Sequence, residues 1–432
     1  MKSAEISSSI WLIGEKLFSM SINLVVMLMI ARNLGPDVFG ELNYLLAIIA
    51  LLAPITALGL NSLITKEVLK REDSLNVILG SSLTIRFIGG IFGFLLILLL
   101  MYFFDIAHGK NIELALLAFA NIFTAAYVFD FYMQAKILNK SVVKLRLSVF
   151  IFINLIKIVG LYYNAHLQFY IVVSALELFL TSLGFSILFQ LKTTRLRQLK
   201  TSTSEAKYLL KQSGWLILSG VAGVIYLKSD QFMLGLLSTN SQVGIYAVAS
   251  RLSEVWYFIP SAIVISFFPK LIHIRGTPLY KIELQKLNDL LFFIAILVAI
   301  PTTLLAKPAI ILLFGEAYQD AGIILSIHIW AGLFIFMRTL LSKWLINENL
   351  LKFALITQGA GAIMNVGFNF WLIPIYGGIG AAIATVISYA SASYFALFFH
   401  RKTLPMAKIM TNSFLLPLRL IIYRQLLYKI QK

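Results

Sequence analysis

The sequence predicts an all-α integral membrane protein of twelve transmembrane helices, arranged as two six-helix lobes related by a pseudo-two-fold axis along the membrane normal. Composition is the first observation behind this expectation: of 432 residues, 59% are apolar and only 13% charged, with a mean hydropathy of +0.88, well outside the range of a soluble globular chain. The second is span length. The uncharged stretches 87–104 and 379–399 are 18 and 21 residues long, enough to cross ~30 Å of hydrocarbon at 1.5 Å per residue. The third is that the two halves of the chain resemble each other.

Apolar segments predict spans at 8–31, 41–65, 77–104, 112–134, 147–164, 168–190, 212–237, 243–268, 287–306, 321–342, 353–373 and 378–399. The first contains Glu15 and Lys16, which argues for a retained span rather than a cleavable signal peptide. With the N-terminus inside, one side carries 27 Lys or Arg and the other only Arg32, Lys110 and Lys307. That asymmetry places both termini in the cytoplasm. It also accounts for most of the +17 net charge, so nucleic acid is not an expected partner.

The repeat is read from landmarks. "LGPDVFGELNY" after the first span and "LSTNSQVGIYAVA" after the seventh align Gly40 with Gly244, and Pro54 then matches Pro260. "KILNKSVVKL" and "WLINENLLKF" align Asn139 with Asn347 and Lys144 with Lys352. Six spans per half is an even number, so the copies have the same orientation, as in transporters whose two bundles hold substrate between them. The expected domains are residues 1–191 for the first lobe, 192–211 for a basic cytoplasmic linker, 212–400 for the second lobe and 401–432 for a basic amphipathic tail. Apolar Leu418 and Ile421 interleave with Arg419 and Arg424 in the tail, which reads as a helix lying on anionic membrane lipid.

Six basic residues fall inside spans: Lys16, Arg86, Lys157, Lys228, Arg251 and Arg338. A charge at the centre of a bilayer helix costs about 2.5–3.5 kcal/mol even on the mild insertion scale, so these side chains are expected to face a protected or wet interior. Lys16 shares one helical stripe with Ser19 and Asn23, while Glu15 points about 100° away toward a neighbouring helix. Arg251 and Glu254 are three apart and within reach of each other, with Trp256 and Tyr257 just beyond. Lys228 and Asp230 point apart on a regular helix. Arg86, followed by Gly89 and Gly93, fits either a cavity or close helix packing, and Lys157 fits either snorkelling or pairing with Asp130 or Glu177. Gln358, Asn365 and Asn369 share a face, which reads as helix packing ahead of sugar contact. Pro54 and Pro260 bend their helices, as static kinks or as hinges.

No enzymatic motif appears: there is no Walker A run, GxSxG elbow or HExxH pair, and the five histidines lack metal-ligand spacing. Zero cysteines exclude disulfides and thiolate metal sites. The expectation is a transporter without metal or cofactor.

"IYLKSDQFMLG" and "VGIYAVASRLSEVWYFIP" resemble the seventh and eighth helices of Wzx-type polysaccharide repeat-unit flippases. "PAIILLFGEAYQDAG", "NFWLIPIYGGIGAAIAT" and "ARNLGPDVFG" are similar to signatures of the wider multidrug/oligosaccharidyl-lipid/polysaccharide (MOP) exporter superfamily. The resemblance implies two six-helix lobes forming a V and an undecaprenyl-pyrophosphate-linked oligosaccharide, such as an O-antigen unit for lipopolysaccharide, as substrate. It also implies a monomer in the bacterial inner membrane, working with polysaccharide assembly proteins. On this expectation Lys16, Lys228 and Arg251 attract the diphosphate, and Glu15, Asp230 and Glu254 orient those cations or couple transport to protons or sodium. Asn23, Tyr226, Trp256, Tyr257 and Asn365 would meet sugar, with Arg86, Lys157 and Arg338 as further cations. A lipid-linked peptidoglycan precursor flippase, a drug exporter of the same superfamily and a membrane polysaccharide polymerase are the alternatives.

Overall fold

The computed structural model describes residues 2–193, 196–416 and 419. Among them the regular structure is entirely helical, and nine helices are long and apolar enough to cross a membrane. The chain separates into two compact units, Met1–Gly244 and Ile245–Lys432.

The first unit opens with α1 (Lys2–Ala57), which is two helical segments across a break. Gly35 adopts φ 71°, a left-handed conformation open to glycine, and Pro36 starts the next segment where its missing N–H has no helical partner to lose. A second break follows Pro54: Leu58 and Gly59 both have positive φ before α2 (Leu60–Lys70) begins. Next come α3 (Leu75–Phe103), α4 (Asn111–Ile122), α5 (Tyr127–Ala135), α6 (Asn139–Tyr162), α7 (Leu167–Lys192) and α8 (Thr203–Leu237).

Two of these elements depart from the expected boundaries. The expected fifth span starts at residue 147, whereas α6 starts at Asn139, so Lys140, Lys144 and Arg146 are helical rather than loop charges. The linker was expected to run through residue 211, yet α8 begins at Thr203, and the preceding strand of chain is tied down. Lys200 donates its backbone N–H to Asn76 at 3.2 Å, and the Ser202 N–H reaches the Ser81 hydroxyl at 3.0 Å. Gly80 is the enabling residue, because any Cβ there would collide with the Lys200 backbone. Arg71 adds an ion pair to Glu205 at 2.6 Å, and that hydrogen bonding holds its guanidinium pKa above the ordinary value.

α8, expected in the second lobe, packs within the first unit. Its Phe232 stacks on Tyr44 with ring centroids 6.1 Å apart, and Gly235 leaves room for the Tyr44 ring. Higher up, Gly59 sits against the Leu216–Ile217 backbone and Gly220 faces Pro54. Small residues on both helices let their backbones approach. α9 (Asn240–Glu254) then begins beside α1. Gly40 and Gly244, the pair aligned by the repeat, face each other: a Cβ on Gly40 would strike the Asn240 carbonyl, and one on Gly244 would strike the Pro36 carbonyl.

The second unit contains the rest of α9, α10 (Phe258–His273), α11 (Pro278–Phe314), α12 (Ala321–His328), α13 (Ala331–Asn347), α14 (Leu351–Ser393) and α15 (Leu404–Phe414). Like α1, α14 is two segments across a break, here at Gly377 with φ 55°, shortly after Pro374. A core of Leu284, Leu291, Phe336, Met337, Leu340 and Trp344 ties α11 to α13.

Internal repetition is visible in the irregularities. α4 and α5 are separated by a 3-10 turn at Phe123–Ala126, and α12 and α13 are separated by one at 329–332, where the Gly332 N–H bonds the Ile329 carbonyl at 3.0 Å. Each copy then ends with a left-handed residue, Ile137 (φ 59°) or Asn349 (φ 58°), followed by a six-to-one hydrogen bond, Leu138 to Met133 or Leu350 to Leu345. This geometry corrects the aligned pair Asn139 and Asn347. Asn139 is the first residue of α6, whereas Asn347 is the last of α13, one helical turn out of register. A four-residue shift keeps the same helical face, so apolar pattern alone does not detect it.

The tail also differs from its expected place. Met406, Ala407 and Met410 of α15 are buried in the second unit's core, and Asn288 of α11 donates to the Ser413 hydroxyl at 2.8 Å. Arg419 pairs with Asp289 at 3.2 Å. The start of the tail is therefore a docked helix rather than one lying on lipid. Leu418, Ile421, Ile422, Arg424 and Lys429 lie outside the described residues.

Candidate functional site: a cavity in the first unit

A cavity of about 860 Å³ opens inside the first unit, lined by α1, α2, α3, α4, α7, α8, Tyr127 of α5, Lys157 of α6, and Thr124 of the 3-10 turn. The backbone irregularities described above converge on it. Pro54, Ala57 and Gly59 at the break between α1 and α2 form part of its wall, and so does Thr124. Broken helices leave backbone carbonyls without intrahelical partners, and such groups suit a cavity rather than lipid.

Arg86 of α3 is the buried cation here, at 5% exposure. One guanidinium nitrogen donates to the side-chain amide oxygen of Asn61 at 2.7 Å and another to the Thr124 backbone carbonyl at 3.2 Å. Asn61 sits just past Gly59, and Thr124 lies in the 3-10 turn. The Phe131 ring lies 5.9 Å from the guanidinium carbon. Gly89 and Gly93, one and two turns on, contact Thr56 and side chains of α1 and of the break, so the close-packing reading holds for the glycines and the cavity reading for the arginine. Asn121 donates to the Thr56 hydroxyl at 3.3 Å on the same wall.

Lys157 of α6 pairs with Glu177 of α7 at 3.1 Å, one of the two partners expected for it. Asp130 instead pairs with Arg146 and accepts from Gln134 at 3.0 Å. Arg146 also reaches Glu15 of α1 at 3.7 Å, so Glu15 does meet a neighbouring helix. Glu15, Asp130 and Arg146 thus form one network joining α1, α5 and α6. Arg146, Asn61 and Asn121 escaped sequence reading. Arg146 was counted as a loop charge because α6 was started late, and a lone Asn carries no pattern until the helix break beside it is known.

The remaining expected residues are placed as follows. Lys16 and Asn23 are exposed on α1, and Lys228 is half-buried on α8 beside buried Tyr226 and Asp230. None of these five lines the cavity. In the second unit Arg251 and Trp256 are exposed, Glu254 and Tyr257 half-buried and Pro260 buried. Asn365 is buried and accepts from Asn369, one turn on in the same helix, at 3.0 Å. Arg338 is buried within the second unit, donating to the Thr357 hydroxyl at 2.9 Å and the Ala392 carbonyl at 2.7 Å. There it satisfies structural acceptors.

The family model for polysaccharide biosynthesis protein matches residues 6–274, more than half of the chain. The chain belongs to this family. A probable flippase, AglR, of Haloferax volcanii is 29% identical over 205 residues, which are 45% of this chain and 42% of that protein, so the match spans less than half of either. Among solved structures, the lipid II flippase MurJ in an inward closed conformation aligns with a TM-score of 0.69 at 16% identity, over 97% of this chain and 93% of that one. An inward-facing multidrug resistance MATE transporter of the MOP superfamily aligns at 0.68 and 16% identity, over 90% of this chain and 96% of that chain. This member of the polysaccharide biosynthesis family therefore has the helical fold of MOP transporters. The solved neighbours are themselves a transporter and a flippase, and the Haloferax volcanii relative is itself a probable flippase.

Proposed function

We propose that this protein is a flippase moving a lipid-linked oligosaccharide across the membrane by alternating access. The observation that carries the reading is the cavity, with Arg86, Lys157 and Glu177 set into its mostly apolar wall, inside helices that are otherwise apolar enough to span a bilayer. Charges in such a place are costly unless they serve a hydrated path, and a lipid-linked glycan needs hydrogen-bonding groups for its sugars and cations for its phosphates. Family membership supports the polysaccharide as the cargo.

The finer reading is a diphosphate-linked repeat unit on an undecaprenyl carrier, moved from the cytoplasmic to the outer leaflet of a bacterial inner membrane, driven by an ion gradient or by consumption of the flipped product. On this reading the chain makes twelve passes: to the nine long apolar helices among the described residues it adds a division of α1 at Gly35, a division of α14 at Gly377, and α6, which is 24 residues long. Lys16, Lys228 and Arg251 stand as candidates for the diphosphate. Glu15, Asp230 and Glu254 stand as their orienting or ion-coupling partners.

In cells lacking the protein, complete lipid-linked repeat units should accumulate on the cytoplasmic leaflet, and the wild-type chain should clear them. Normal surface glycan without such accumulation would rule the proposal out. K228Q and R251Q test the assignment of cations, since unchanged export by both, at normal membrane levels, removes them from the path.

A further inference from the structure

In the second unit, a groove of about 530 Å³ opens where α11 starts, where α13 turns into α14 and where α15 begins. Leu284, Trp344 and Ile409 line it with apolar surface, and Lys281 and Lys402 bring two ammonium groups to its edge. Both lysines are exposed, and among the described residues neither ammonium has a hydrogen-bond or ion-pair partner. The one carboxylate in the lining is already engaged. Glu348 pairs with Arg275 at 2.9 Å and accepts from the Tyr280 hydroxyl at 3.0 Å. The groove is therefore apolar within and positive at its edge, with no acidic group free to neutralise it.

That combination selects an amphiphile with an anionic head. An inorganic anion would leave the surface around Trp344 uncovered, and a zwitterionic head would leave the charge unmatched. The chain's own residues 420–432 contain Arg424, Lys429 and Lys432 and no acidic residue, so they repel this edge rather than complement it. Apolar side chains beside the groove, Leu279, Ile282 and Ile346, are all more than half exposed, as expected for a surface bordering acyl chains. The charge asymmetry of the loops puts this set of helix ends on the cytoplasmic side, where anionic lipid attracts basic residues.

We propose that this groove binds the phosphate-bearing headgroup of an anionic phospholipid, held by Lys281 and Lys402, with its glycerol and upper acyl region against Leu284, Trp344 and Ile409. The site is separate from the cavity of the first unit, and its occupancy does not depend on what that cavity carries.

The test uses full-length protein purified in detergent and titrated with phosphatidylglycerol or phosphatidylcholine, with bound lipid counted by native mass spectrometry. Wild type should retain phosphatidylglycerol in preference to phosphatidylcholine. K281Q/K402Q should weaken that retention roughly 30-fold, and each single variant by roughly 5-fold, as expected for two surface cations at an anionic headgroup. K66Q/K70Q, which removes two exposed lysines of the first unit, should leave it unchanged. Equal retention of the two lipids, undiminished retention by the variants, or an equal fall in K66Q/K70Q would overturn the site. Displacement of phosphatidylglycerol by inorganic phosphate alone would overturn the lipid and assign the lysines to a free anion. The single variants keep the proposal testable if the double variant fails to fold, and none of these readouts involves transport.

Discussion

Arg146 sits between two carboxylates from different helices, and its surroundings decide what its loss would do. Asp130 is 4% exposed and has Arg146 as its charge partner, whereas Glu15 is a longer contact at 3.7 Å. Removing the cation leaves an uncompensated buried carboxylate, a situation that costs about 3 kcal/mol or more. R146Q should therefore lower the thermal midpoint of the detergent-purified protein, and R146Q/D130N should recover most of the loss, because the double variant removes both charges. An R146Q protein as stable as wild type would show that Asp130 does not rely on this pair. Arg86 differs in kind: its partners are a neutral amide and a backbone carbonyl, so R86Q should affect transport more than stability, read as lost export at normal protein levels. The cations are legible as charges within apolar segments, and Glu177 as one of two partners for Lys157, but the partners of Arg86 are not. A lone Asn61 carries no pattern, the Thr124 carbonyl is offered by a 3-10 turn, and Arg146 joins the membrane network only because α6 begins at Asn139.

At the scale of elements, the irregularities are the informative parts. Pro54, Leu58 and Gly59 interrupt the second predicted span beside the cavity, and Gly59 both holds a left-handed conformation and lies against the Ile217 amide. G59A should cost about 1–2 kcal/mol from backbone strain alone, with added displacement of α8, and so should lower both the thermal midpoint and export. P54A should raise helicity across the break without that clash, and its effect should fall on transport rate more than on stability. The apolar pattern marks these segments as candidate spans, and its landmarks align Pro54 with Pro260. It did not reveal the breaks at 123–126 and 329–332, because a 3-10 turn preserves hydrophobic composition while changing which backbone groups are free.

For the whole molecule, the all-helical class and the presence of long apolar spans were legible, since both rest on hydropathy that extends over many residues. Unit boundaries were harder to read. The basic linker looks like the natural division, yet α8 packs on α1 through Gly220, Gly235, Tyr44 and Phe232, contacts that only three-dimensional proximity creates. Topology can be tested cleanly because the chain has no cysteine. A single cysteine replacing Asn164 should react with a membrane-impermeant maleimide added to intact cells, and one replacing Asp73 should react only after permeabilisation; the reverse pattern would invert the orientation. The proposed activity is movement of a phosphate-linked glycan lipid between leaflets. Its most direct test places purified protein in vesicles with a short-chain undecaprenyl-pyrophosphate oligosaccharide on one leaflet and follows its exposure on the other with a glycan-binding probe. Exposure should be faster with wild-type protein than in empty vesicles, and slowed by R86Q. Folded wild-type protein giving no more exposure than empty vesicles, with or without an ion gradient, would contradict it.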